Sequence, residues 1–220
     1  MIRRDTLSYA YSQHLFHQAH ELQARLTSYQ AITPSFFAAG SVERVRRLSP
    51  RLGSMLARRS HAILPASVLQ TYPIEHAYQV CARLFGRPYS YFSAHDRMAR
   101  RIVRDFAPPR TLIAADTGAE ELFRAWRGRT RLVLDLTIAT AQYRQKIFSD
   151  AEESMAHFGV HFHHPGTWEL ARYAAEVSMA DLILCPSEFV MDSCRFMGAP
   201  DSKLRLLPYG FDPGRFFPGG

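Results

Sequence analysis

The sequence predicts an α/β fold: an open, doubly wound, mainly parallel sheet with helices on both faces. Three observations carry this expectation. Short apolar runs such as TLIAA (111–115) and DLILC (181–185) lack polar alternation, as strands buried on both faces do. Each run passes through a polar turn into a stretch whose apolar residues recur at helical spacing. Parallel strands joined in this way need right-handed helical crossovers, which wind a sheet outward from its centre.

In chain order, Leu7 to Ala10 is the first strand, and it leads through Tyr11-Ser12-Gln13 into HLFHQAHELQARL. In that helix Leu15, Phe16, Ala19, Leu22 and Leu26 share one face. SYQAI (28–32) follows as the second strand, and HAILPA (61–66) is expected as the third, with Pro65 restricting it to an edge or an end. Between them, residues 41–60 read as a basic helical stretch. TLIAA leads through Asp116-Thr117-Gly118 into AEELFRAW, and RLVLDL (131–136) is the next strand. Residues 141–180 read as a longer helical excursion with a loop at Gly159 to Gly166. DLILC then leads through Pro186-Ser187 into EFVMDSCRFM, a helix that closes on Gly198, a natural residue for a left-handed cap. KLRLL (203–207) is the last strand, and Pro208 ends it.

At 220 residues, one domain with a sizeable core is expected. The reading assigns residues 1–207 to it and 208–220, rich in proline and glycine, to a hinge or linker. A hydrophobic fraction of 47% excludes a disordered class. No apolar run reaches the roughly 18 residues of a membrane span, and the N-terminus lacks the apolar core of a secretory signal, so a cytoplasmic chain is expected. Cys81, Cys185 and Cys194 are odd in number and show no CxxC spacing, which fits free thiols. The net charge of +7 rests on arginine, since Lys146 and Lys203 are the only lysines. Arginine suits phosphate, so an anionic partner such as a nucleotide fits. Nucleic acid is not the expected partner, because the arginines are scattered and no nucleic-acid motif accompanies them.

Ligands of doubly wound sheets bind in the crevice outside the carboxyl ends of the strands. That selects Tyr11 to His14, Asp116 to Gly118, Asp135 to Thr140, and Pro186 to Glu188. Ser12 stands where a helix cap would, and Gln13 and His14 are a polar pair at the mouth of the first crossover. Thr117 and Gly118 occupy the equivalent turn after the fourth strand. Ser187 caps a helix that Glu188 opens with the charge its dipole favours. Asp135 closes the run RLVLD, so its carboxylate faces the crevice or caps the following turn. His157, His161, His163 and His164 lack the acidic or cysteine partners of a zinc site, and no metal is expected. No GxSxG elbow and no GxGxxG turn occurs.

The stretch from Glu176 to Gly219 resembles the end of the N-terminal domain in GT-B glycosyltransferases of family 4. The matching elements are Ala180-Asp181, LILC, Pro186-Ser187-Glu188-Phe189, Gly198, the Lys203-led strand, Pro208-Tyr209-Gly210-Phe211-Asp212 and Arg215-Phe216. The first 175 residues resemble that family only in the order of strands and helices. The resemblance implies a Rossmann-like domain that receives the acceptor, while a C-terminal domain, in cis or in trans, holds a nucleotide-diphosphate sugar as co-substrate. It implies no tightly bound cofactor. Ser12, Gln13, His14, Thr117, Gly118, Ser187 and Glu188 would lie on the acceptor and donor-phosphate side, Asp135 would be the candidate catalytic residue, and Pro208, Gly210 and Asp212 would form the hinge. The family's first turn is often glycine-rich and its strand corresponding to 131–135 often ends in histidine; here YSQH and Asp135 stand there. No donor domain follows within these 220 residues, so the chain alone is expected to be inactive. A sugar, a lipid-linked molecule or a polysaccharide would serve as acceptor. The arginines of residues 41–60 offer peripheral contact with the inner face of a membrane, or a solvated surface. A non-catalytic Rossmann-like binding module for a sugar or an anionic partner is the alternative.

Overall fold

The computed structural model describes residues 4–9, 14–26, 28–34, 39–57, 66–72 and 91–210. Within them the strands are β1 (Thr6–Tyr9), β2 (Tyr29–Thr33), β3 (Leu69–Thr71), β4 (Thr111–Ala115), β5 (Arg131–Asp135), β6 (Leu182–Cys185) and β7 (Leu204–Leu206). The helices are α1 (His14–Arg25), α2 (Ala39–Leu48), α3 (Pro50–Ala57), α4 (Tyr91–Asp105), α5 (Glu120–Trp126), α6 (Ala141–Ala156), α7 (Thr167–Met179) and α8 (Glu188–Phe196). The seven strands form one sheet in the order β3-β2-β1-β4-β5-β6-β7, and every pairing is parallel. This is the doubly wound α/β sheet that the strand–turn–helix theme predicts.

Side-chain alternation along the strands divides the core into two layers. Leu7, Tyr9, Ile32, Leu112 and Ala114 join the larger cluster, together with Met98 and Ile102 of α4 and Leu122, Phe123 and Trp126 of α5. Tyr29, Ala31 and Ala115 face the other way, against Ala19, Leu22 and Leu26 of α1. The sheet order accounts for this division. The chain winds one way from β1 to β3 and then the other way from β4 to β7, so right-handed crossovers put α1 on one face and α4 to α8 on the opposite one.

The third strand differs from expectation. HAILPA lies outside the described residues except for Ala66, which opens a short 3₁₀ turn, and the strand that pairs with β2 is Leu69–Thr71. Three half-buried residues carry no readable period, and edge pairing defines them instead of an apolar run. At the opposite edge, β7 ends after Leu206. Leu207 adds one more backbone bond, its N–H donating to the Cys185 carbonyl (2.7 Å), before Pro208 leaves the sheet. Gly210 is the last described residue; Asp212, like Ser12 and Gln13, lies outside them. Cys185 and Cys194 are buried free thiols, and Cys81 falls outside the described residues. Among the described residues, no helix is long and apolar enough to cross a membrane.

Candidate functional site

The strand order reverses between β1 and β4, and the crevice rule points to the carboxyl ends of these two strands. The structure fills that position with its own side chains. Tyr9 ends β1, and its hydroxyl lies 2.9 Å from His95 Nδ1 of α4, with both residues fully buried. Burial and the nearby Arg172 charge push the His95 imidazole down to about 3, so it is neutral at physiological pH. Gly118, in the turn after β4, lies against this pair. A Cβ on Gly118 would come within 2.5 Å of His95 Nδ1 and 2.9 Å of Tyr9 Cε1. Gly118 is therefore small because two buried rings need the space.

Thr117 takes a left-handed backbone conformation, with φ of 64°, unusual for a β-branched residue. The reason lies on α7. Both carboxyl oxygens of Glu176 face this turn and accept the N–H groups of Thr117 (2.8 Å), Ala119 (2.9 Å) and Glu120 (3.0 Å). These are backbone donors at and just before the start of α5, which the Glu176 carboxyl group satisfies. Glu176 is fully buried, and burial pushes its carboxyl up to about 8, against the N–H groups and Arg172, which favour the charged form. Arg172, one turn earlier on α7, pairs with Asp96 and lies 3.4 Å from Glu120 and 3.7 Å from Glu176.

A second group of polar residues lies one strand further along. Ala115 is opposite Asp135 in the β4–β5 register, so Asp116 follows directly beside the end of β5. Both aspartates are 8% exposed. The Asp116 carboxylate accepts the Tyr173 hydroxyl (2.7 Å) and the Thr137 hydroxyl (2.8 Å). Burial pushes its pKa up, helped by the charge of Asp135 and opposed by those hydrogen bonds. Thr137 extends the chain outward, because its carbonyl accepts the hydroxyl of Tyr209 (3.3 Å).

Beside that tyrosine, an open pocket of about 490 Å³ lies at the carboxyl ends of β5 and β6. Its walls come from the loop 137–139, the first turns of α6 and the Pro186–Val190 stretch. That stretch folds as its residue types require. Ser187 is extended, and its hydroxyl caps α8 by accepting the Val190 N–H (3.3 Å); Glu188 opens the helix. Gly198 closes the helix at φ of 82°.

The sequence-predicted residues thus fall into three places. Thr117 and Gly118 lie together at the β1–β4 reversal, Asp135 lies beside Asp116 at the end of β5, and Ser187 lines the pocket while Glu188 follows it as the first residue of α8. His14 is the first residue of α1. Pro208 and Gly210 follow β7, with Tyr209 between them lining the pocket. The histidines of the 157–164 segment go different ways: His164 faces Glu152 (3.3 Å) and the edge of the Phe148 ring, while His157 meets Phe158. Sequence reasoning missed His95, Arg172, Tyr173 and Glu176. For Glu176 a signal existed, since it sits between Tyr173, Val177 and Ala180 on the apolar stripe of α7, where a solvated glutamate has no place.

No protein-family model matches the chain, and no curated protein matches it. Among solved structures, the chain is similar to one described as a UDP-N-acetylglucosamine 2-epimerase from Listeria monocytogenes, with 9% sequence identity and a TM-score of 0.43. The match covers 93% of this chain and 44% of that one, so the chain spans less than half the length of that protein.

Proposed function

We propose that the chain is the N-terminal, acceptor-side half of a GT-B glycosyltransferase, moving a sugar from a nucleotide-diphosphate sugar to an acceptor. The observation that carries the reading is the way the family-like stretch folds. Residues 180–208 run as a strand end, a capped Pro-Ser-Glu-Phe turn, a helix closed by Gly198 and a last parallel strand left at Pro208, and the capped turn forms one wall of an open pocket at the sheet's carboxyl edge. Asp135 and Asp116, side by side at that edge, are the groups proposed to meet the acceptor hydroxyl, with Asp135 the candidate catalytic residue. The donor's diphosphate would lie on a second domain, in cis or in trans, reached through Pro208, Gly210 and Asp212. Positive charge on that leaving group is what the transfer step requires.

A second reading, a non-catalytic Rossmann-like module, is favoured by one observation: the backbone N–H groups at the start of α5 are already taken by Glu176. One experiment separates the two. The isolated chain is expected to neither hydrolyse nor transfer sugar from UDP- or GDP-sugars, and turnover by it refutes the half-enzyme reading. Supplying the chain with a donor-binding domain, in cis or in trans, should restore transfer, and Asp135→Asn should then reduce it at least tenfold. Unchanged transfer by Asp135→Asn removes that residue from the reaction; no transfer with that domain supplied favours the binding module.

A further inference from the structure

The pocket at the carboxyl edge has apolar walls, and its few polar groups are already committed. Ile138, Ile147, Phe148, Pro186, Phe189 and Val190 supply most of the lining. Thr137 gives its hydroxyl proton to Asp116 and its carbonyl to Tyr209. Arg144 donates to the Ala139 carbonyl (3.0 Å) and pairs with Glu169, so the one cation that the described residues place in the wall is neutralised. Ser187 is engaged with the Val190 N–H. A sugar ring buried here would lose water from several hydroxyls and gain few partners, at roughly tenfold in affinity for each unpaired group. An alkyl or aryl group loses nothing of that kind. The rim is apolar as well: Ile138 is 48% exposed, Phe189 52% and Tyr209 59%. The Phe189 ring continues through Tyr143 to Phe196, each pair 5.5 Å apart between centroids, along the outside of α8. The volume falls within the range of small-molecule sites.

We propose that this pocket takes the apolar chain or ring of an amphipathic acceptor, which directs the acceptor's hydroxyl toward Asp135 and Asp116 at the neighbouring strand ends. The inference rests on the glycosyltransferase reading for the word acceptor, and on the pocket alone for the apolar class of its ligand. A purely polar saccharide does not fit these walls, nor does a free anion, because Arg144 is already paired.

The test is calorimetric titration of the full chain with octyl and decyl β-glucoside below their micelle concentrations, with glucose as the control. Both glycosides should bind saturably and glucose should not. Each buried methylene is worth about fourfold, so decyl, longer by two, should bind roughly fifteenfold more tightly than octyl. Ile138→Glu and Phe189→Ser change exposed wall residues, should keep the wild-type melting temperature, and should each weaken binding at least tenfold. Glucose binding as well as octyl glucoside, equal affinity for the two chain lengths, or unaffected binding by both variants overturns the inference. Transfer is scored separately, with the chain supplied with a donor-binding half. Chain-length-dependent binding without transfer to the bound glycoside refutes the glycosyltransferase reading but not the ligand class. Transfer to sugar-only acceptors with no glycoside binding refutes the inference and leaves the reading intact.

Discussion

Replacing Gly118 with alanine adds one carbon where the structure has no room. The new Cβ would stand 2.5 Å from His95 Nδ1 and 2.9 Å from Tyr9 Cε1. Ordinary carbon contacts begin near about 3.5 Å, so the rings must retreat by about an ångström. Neither can swing into solvent, because Tyr9 is 1% and His95 2% exposed. Overpacking of this kind costs about 1–3 kcal/mol. Separating the Tyr9 hydroxyl from His95 breaks a buried hydrogen bond and adds about 1–2 kcal/mol. The sum is about 2–5 kcal/mol, which for a chain of this length lowers the melting temperature by on the order of 10 °C. Thermal unfolding followed by circular dichroism measures it. Gly40→Ala is the control: its Cβ meets no atom within 4 Å in α2, so the variant should be neutral or more stable by up to about 1 kcal/mol. In a His95→Ala background the ring is gone, and Gly118→Ala should then cost at least about 1 kcal/mol less. A Gly118→Ala protein that melts within about 2 °C of wild type would refute the close approach, and with it the assignment of this glycine to packing.

Three further outcomes follow from the same geometry. Burial pushes the folded-state pKa of Glu176 up to about 8 from 4.5, so the native chain holds its proton more tightly and stability falls as pH rises across that window, by up to about 1.4 kcal/mol per unit. Glu176→Gln should flatten this slope in urea titrations at pH 5, 6, 7 and 8.5; an unchanged slope would assign the effect to another group. Ser187→Ala should cost about 1 kcal/mol by uncapping α8 while Ser187→Asp stays near wild type, and equal losses in the two variants would count against the cap. Gly198→Ala should cost about 1 kcal/mol, because φ of 82° strains any Cβ, and guanidinium midpoints indistinguishable from wild type would contradict the left-handed closure.

What the sequence made legible is what local chemistry decides. TLIAA is β4 to the residue, since a threonine and four apolar residues between polar turns are the length of a strand and too short for a helix. Ser187 and Gly198 bracket α8 because cap preferences are short-range. β3 was not legible, for three residues carry no period and only pairing with β2 makes them a strand. The site divides in the same way. Asp135 ends β5 and Thr117 and Gly118 follow β4, yet the reason for Gly118 lies in His95, brought in by α4, and the reason for the Thr117 conformation lies in Glu176, brought in by α7. The His95 contact leaves no mark in the local pattern, and the apolar stripe of α7 marks Glu176 as buried without naming its partners, because helix docking across the sheet decides both.

The Glu176 contact also sets an order of events. The amides of Thr117, Ala119 and Glu120 wait for a carboxyl group 56 to 59 residues further along the chain. α5 is only seven residues long, too short to hold its first turn by its own propensity. Its start can therefore become fixed only once β5, α6 and α7 have been laid down and docked. The turn after β4 should mature late in folding, and substitutions at Glu176 should speed unfolding far more than they slow folding.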